Sequence, residues 1–182
     1  MLFYIFRHGE TDGNLKQIVQ GASIDLPLNE HGKEQAAALR DIFVDLDFST
    51  IYCSRMTRAR QTAEIVASGR GAKVITLNGL EEIHFGDAEG MLSAEAHIKY
   101  ADVFNIVNDI YNPEFKHVKI PHGESVQDSL NRAYKALDYI KSVETGSRAV
   151  VASHGALMYN LYLNRFGLRH PFSNCEYFVM EY

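Results

Sequence analysis

No apolar run in this chain approaches the roughly 20 residues that a membrane-spanning helix needs. The apolar opening, Leu2 to Phe6, is shorter than the core of a secretion signal, follows no basic segment and stops at Arg7, so no leader is expected. Cysteine is scarce. The two present, Cys53 and Cys175, lie among β-forming apolar neighbours and read as reduced packing residues, which makes cytoplasm the expected compartment. Positive charge is short as well: 18 Lys and Arg against 23 Asp and Glu give a net charge of -5. That balance removes any general attraction to nucleic acid or anionic membrane, so a phosphate site would have to be basic locally. There is no internal repeat, low-complexity tract or linker to divide the chain. With 182 residues, 46% of them hydrophobic, a single domain spanning 1–182 can bury a sizeable core.

Strand and helix signals alternate along the chain. Strands are expected at Leu2 to Phe6, Thr50 to Cys53, Lys73 to Leu77, Ala149 to Ala152 and Tyr177 to Met180, all rich in Val, Ile, Phe or Tyr. Leu39, Phe43 and Leu46 share one helical face, and Val126, Leu130, Ala133, Leu137 and Ile140 step by four and three along another helix. Ser125 is placed to cap that helix, with Asp128 near the positive end of its dipole. This order predicts an α/β fold, a three-layer α/β/α sandwich around a mostly parallel central sheet. Met91 to Tyr111 carries an apolar helical face in Phe104, Val107, Ile110 and Tyr111; Asn112 to Glu124 lacks periodicity and reads as a long loop. Together, residues 91–124 are expected to form a cap or lid.

Ligands of a parallel sheet collect at the carboxyl ends of its strands, and three of those ends carry the same kind of residue. The first strand runs into Arg7, His8 and Gly9: a planar fork for phosphate oxygens, a ring nitrogen that is nucleophilic when neutral, and a backbone N–H free to approach a ligand. The second runs into Arg55, Arg58 and Arg60, with Arg55 and Arg58 three apart and able to share a helix face. Cations at a helix start oppose the dipole unless an anion binds there. The third ends at His154 and Gly155. A histidine at one strand end is usually structural; three cationic strand ends point to one anion. Acids are available in the loop "LEEIHFGDAEG", namely Glu81, Glu82, Asp87 and Glu89.

These residues resemble the histidine phosphatase superfamily, of phosphoglycerate mutase-like fold, on its phosphatase branch. The resemblance runs in order through "RHGETDGN", "QGASIDLPLNEHGKEQA", "SRMTRARQTAE", "LEEIHFGDAEG", "HGES" and "VVASHG". It implies that His8 is the nucleophile, forming a phosphohistidine, with Arg7, Arg58 and His154 around the phosphoryl group. Glu82 matches the family's proton donor, through the pattern Leu-x-Glu-x-x-Phe-Gly. Asn14, Gln20 and Gly21 match substrate-side positions, joining Gly9 and Gly155. Phosphoryl transfer needs such groups: donors for three equatorial oxygens, and a carboxyl that protonates the leaving alkoxide and then activates water. Glu82 in its acid form beside neutral His8 sets an expected optimum on the acidic to neutral side. Two arginines do the charge neutralisation that magnesium performs elsewhere, so neither metal nor cofactor is expected.

The chain departs from the family where the pocket is shaped: His84 stands where Asp is common, Ala88 where Trp is common, and Arg55 where Asp or Pro is common. The expected partner is therefore a small phosphomonoester left open among α-ribazole phosphate, a sugar phosphate, phosphoserine and phosphoglycerate, handled by a monomer or homodimer. Four rival readings fit the residues less well. Cys53 and Arg58 are one residue too close for a cysteine-phosphatase loop, and no glycine relaxes that loop. A mutase would use the same groups but generally needs an insertion that retains substrate. A phosphate-binding module would leave Glu82 without a role. A metal hydrolase on His8, His84 and His154 lacks a tight ligand motif.

Overall fold

The computed structural model describes all residues, Met1–Tyr182. Five strands form one sheet: β1 (Leu2–Arg7), β2 (Thr50–Cys53), β3 (Lys73–Thr76), β4 (Arg148–Ser153) and β5 (Tyr177–Glu181). Their order is β3-β2-β4-β1-β5, with every pair parallel except β1 with β5. All five expected strands are present, each within one residue of its expected ends. Residue type follows position. β4 lies inside the sheet and is buried from Ala149 to Ser153, whereas edge strand β5 alternates, burying Phe178 and Met180 and exposing Tyr177 and Val179.

Seven helices complete the chain: α1 (Asp12–Leu15), α2 (Glu30–Ile42), α3 (Thr57–Ala67), α4 (Ser93–Lys99), α5 (Ala101–Val107), α6 (Val126–Val143) and α7 (Gly155–Phe166). On one face of the sheet, Leu39 from α2 with Ala63 and Val66 from α3 packs on Phe6, Ile51, Val150 and Ala152. On the other, Leu130, Leu137 and Ile140 of α6 with Leu157, Met158 and Leu161 of α7 packs on Phe3, Ile5, Ala149 and Val151. These are the three expected layers. Ser125 caps α6 by accepting from the Asp128 N–H at 3.1 Å while the Asp128 carboxylate accepts from the Ser125 N–H, a reciprocal pair worth about 1 kcal/mol.

The crossovers also create the cleft. The chain leaving β1 turns to the α2 and α3 face, and the chain leaving β4 turns into α7 on the opposite face. Because β1 and β4 are neighbours, their carboxyl ends part at a topological switch point, where a crevice opens. The backbone binds the two ends together: the His8 N–H donates to the Ser153 carbonyl at 3.0 Å.

Some expectations are corrected. The 91–111 segment is two short helices broken at Tyr100, and Ile110 and Tyr111 lie beyond both, with Tyr111 exposed. Leu46 lies past the end of α2, though it still packs on the same cluster. Cys175 precedes β5 in a left-handed conformation (φ 59) instead of lying in strand. The 112–124 stretch holds neither helix nor strand, as expected, and no helix is long and apolar enough to cross a membrane.

Candidate active site

His8 leaves β1 buried, 2% exposed, and its ring is fixed by its own neighbour: Nδ1 lies 2.7 Å from the Gly9 carbonyl. A carbonyl only accepts, so Nδ1 carries the proton and Nε2 keeps the lone pair. Arg58 donates from Nε to that Nε2 at 3.2 Å. Burial first, then the Arg58 and Arg7 guanidiniums, hold His8 well below the usual imidazole value of 6.5, so it stays neutral. A neutral imidazole with a directed lone pair is a nucleophile.

Arg58 sits in the first turn of α3 and is 1% exposed. Its remaining nitrogens are tied to backbone, Nη1 to the Ile24 carbonyl and Nη2 to the Gly21 carbonyl, both at 2.9 Å. Gly21 is required for this: it is left-handed (φ +54), and an added Cβ would meet Glu89 Oε1 at 2.1 Å. Glu89 in turn accepts the Ala22, Ser23 and Phe85 N–H groups, locking the 20–24 turn onto the 80–90 loop. Arg7 donates from Nη1 to the Phe172 carbonyl at 2.7 Å, while its buried Nε has no partner in the protein. Both ring nitrogens of His154, fully buried, are likewise without a partner. Its ring centroid is 5.2 Å from that of His8, and burial with Arg58 and His8 holds it well below 6.5. Buried donors are ordinarily paired, so the unpaired Arg7 Nε–H and the single N–H of the neutral His154 ring, which lies beside His8, mark a place suited to an anion's oxygens.

Glu82 is the acid of the loop that faces this place. Its carboxylate accepts from Ala156 N at 3.1 Å, Leu157 N at 3.0 Å and Ile83 N at 2.9 Å, which seats it on the first turn of α7. Three donors on two oxygens fix the orientation of the carboxylate. The other three acids are occupied elsewhere. Glu81 pairs with Arg55 at 3.2 Å, Asp87 meets His122 at 2.8 Å, and Glu89 holds backbone.

Arg7, His8, Asn14, Gln20, Gly21, Arg58, Glu82 and Gly155 line one cavity of about 480 Å³. Gln20 is buried and accepts from Thr11 Oγ1 at 3.1 Å; Asn14 Oδ1 accepts from the Thr11 N–H at 3.1 Å. Gly155 gives room to the arginine, since an added Cβ would come within 3.1 Å of Arg7 Nε. Gly9 is corrected. Its N–H is taken by Thr62 Oγ1 at 3.0 Å, and its lack of a side chain serves α2, because an added Cβ would strike the Gly32 carbonyl at 2.4 Å. Arg55 is corrected too: it precedes α3, shares no face with Arg58 and is largely exposed. Burial pushes the Cys53 thiol up to about 12, which removes the thiolate a cysteine phosphatase needs. No group of three or more His, Cys, Asp or Glu is arranged to hold a metal ion.

Sequence reasoning did not single out Thr62, Tyr159, Phe172 or Arg132. Arg132 donates from Nη1 to the Gly79 and Glu81 carbonyls at 2.9 and 2.7 Å, and from Nη2 to the Glu82 carbonyl at 3.0 Å. Its guanidinium also pairs with Glu124 at 2.5 Å. It holds the loop that carries the acid, yet along the chain it is one more polar residue on a long helix.

A family model described as "Histidine phosphatase superfamily (branch 1)" matches residues 3–181. The chain is 30% identical over 157 residues to the "Uncharacterized phosphatase PhoE" of Bacillus subtilis, covering 86% of this chain and 73% of that one. It is 32% identical over 161 residues to "Phosphoglycerate mutase-like protein 4" of Arabidopsis thaliana, covering 87% and 68%. In fold it is similar to a mycobacterial glucosyl-3-phosphoglycerate phosphatase, with a TM-score of 0.87 at 23% identity over 99% of this chain and 92% of the other.

Proposed function

Since the chain belongs to the histidine phosphatase superfamily, we propose that it hydrolyses small phosphomonoesters through a phosphohistidine on His8, without a metal. The observation that carries this reading is the setting of His8 Nε2: a neutral ring whose lone pair is met by Arg58 Nε, beside an Arg7 Nε and a His154 ring that have no partner in the protein, with Glu82 as the carboxylate of the same cavity. The similarity to PhoE supports hydrolysis.

In the first half-reaction His8 Nε2 attacks phosphorus. The N–P bond forms as the ester P–O bond breaks, and the departing alkoxide takes a proton from Glu82. Arg58 Nε shifts from the histidine nitrogen to a phosphoryl oxygen, and Arg7 Nε and His154 bind the other oxygens. In the second half, the Glu82 carboxylate takes a proton from water; the water oxygen attacks phosphorus, the N–P bond returns its electron pair to Nε2, and inorganic phosphate leaves. The test is trapping of a phosphoenzyme that is acid-labile and is lost in His8→Ala. A protein that turns over phosphomonoesters with no such species, or with activity intact in His8→Ala, would rule the reading out.

The residues 91–124 contribute Ser93, His97 and Phe104 to the cavity wall, which fits their proposed role as a cap. The plant relative's name keeps a mutase in view as a second assignment; isomerisation of phosphoglycerate measured against phosphate release separates the two.

A further inference from the structure

A second cavity of about 240 Å³ adjoins the first, and Phe85, His97, Phe104, Ala156 and Tyr159 line both. Its remaining wall is mostly aliphatic, with Ile83, Val103, Val107, Val118, Ile120 and Val126 among its residues. His97 from α4 is stacked on Phe104 from α5, ring centroids 4.0 Å apart and planes within 14°. The His97 Nδ1 bonds to the Ser93 carbonyl at 2.7 Å, which fixes the orientation of that ring. The residues shared by the two cavities thus include a rigid, flat aromatic pair.

Charge is distributed just as unevenly. Arg7 and Arg58 are the only Lys or Arg lining the first cavity, and both belong to the phosphoryl centre. The second has one, the exposed Lys119, alongside Glu124, whose carboxylate is already paired with Arg132. A leaving group with its own carboxylate or second phosphate would have to shed water there without a buried cation to meet it, which is costly. A flat apolar ring would gain burial and stacking at no such cost.

We infer that the preferred leaving alcohol is uncharged and carries a flat, aromatic ring, which occupies the second cavity while the phosphoryl group lies between Arg7 and Arg58. This specificity rests on the phosphatase reading, but it can fail separately. Phosphate release by the wild-type protein is compared for naphthylmethyl phosphate, ethyl phosphate and phosphoglycerate; the first two are alkyl esters of similar reactivity, so their ratio reports the cavity. The expected kcat/KM for naphthylmethyl phosphate is roughly 10- to 200-fold above the other two. Phe104→Ala lowers that ratio about tenfold, and Val107→Trp, which fills only the second cavity, lowers it similarly. In parallel, calorimetry compares naphthylmethylphosphonate with methylphosphonate, neither of which can be hydrolysed. Tighter binding of the naphthyl compound supports the ring site. Equal binding together with no preference among the esters overturns it and leaves the phosphatase reading standing. Ring-selective phosphonate binding with no phosphate released from any ester does the reverse.

Discussion

Arg58 Nε and His8 Nε2 are 3.2 Å apart, and one hydrogen bond between them both orients the imidazole and occupies its lone pair. In the proposed mechanism that contact has to break for attack, in favour of an oxygen that carries more negative charge than a neutral imidazole, so that an anion entering the cavity would unmask His8. Arg58→Lys tests this. A lysine cannot donate to His8 while also holding the Gly21 and Ile24 carbonyls, so kcat should fall by about 10²- to 10³-fold. Steady-state kinetics on any accepted ester would show it, and a lysine variant within a few fold of wild type would remove Arg58 from this role.

His8→Ala should reduce turnover by about 10⁴-fold or more, as expected when a covalent nucleophile is removed. Cys53→Ala is the counter-test. Cys53 is fully buried in the α2 and α3 core and its thiol is held up at about 12, so the change should cost about 1 kcal/mol in stability while kcat stays within a few fold. Phosphate-release assays on both variants, with chelator present and absent, should show dependence on His8 alone.

Stability should carry the mark of two buried neutral histidines. His8 and His154 are both held well below 6.5 in the folded protein. As pH falls through about 6.5 the unfolded chain takes up a proton at each position and the folded chain does not. The unfolded state then binds more protons, so stability is fully present above pH 6.5 and declines below it, by up to about 1.4 kcal/mol per pH unit per histidine. Urea unfolding at pH 7, 6 and 5 should show the decline, and His154→Gln should remove one histidine's share. Identical slopes in variant and wild type would mean that His154 is charged in the fold.

Arg132 is a positioning residue, joined to the Gly79, Glu81 and Glu82 carbonyls and never to the cavity itself. Arg132→Ala should lower kcat by roughly 10- to 100-fold with a small change in KM, because displacement of Glu82 impairs proton transfer more than binding. Arg132→Lys should not restore it, since one ammonium cannot reach three carbonyls and Glu124 in a plane. A purely structural role would lower the melting temperature and leave the kcat of the folded fraction unchanged.

Much of this was written locally. Alternation in β5, the four-and-three spacing of α6 and its Ser125 cap depend on neighbours a few residues away, so the sequence predicts β5 within one residue and the start of α6, whose last turn runs past Ile140 to Val143. The same holds for Arg7, His8 and His154, because a residue just past an apolar strand must emerge at the sheet's carboxyl edge. What no local pattern carries is the choice between equals: Arg58 turned inward while Arg55 stayed in water, Glu82 seated on α7 while Glu81 went to a surface pair, and the Gly9 N–H was given to Thr62. Those outcomes were decided by the crossovers that bring β1, β2 and β4 side by side, since only there do residues tens to more than a hundred positions apart compete for the same donors. The ring-lined second cavity belongs to the same class, its wall assembled from α4, α5, the 112–124 loop and α7, none of which has a reason to meet until the chain has closed.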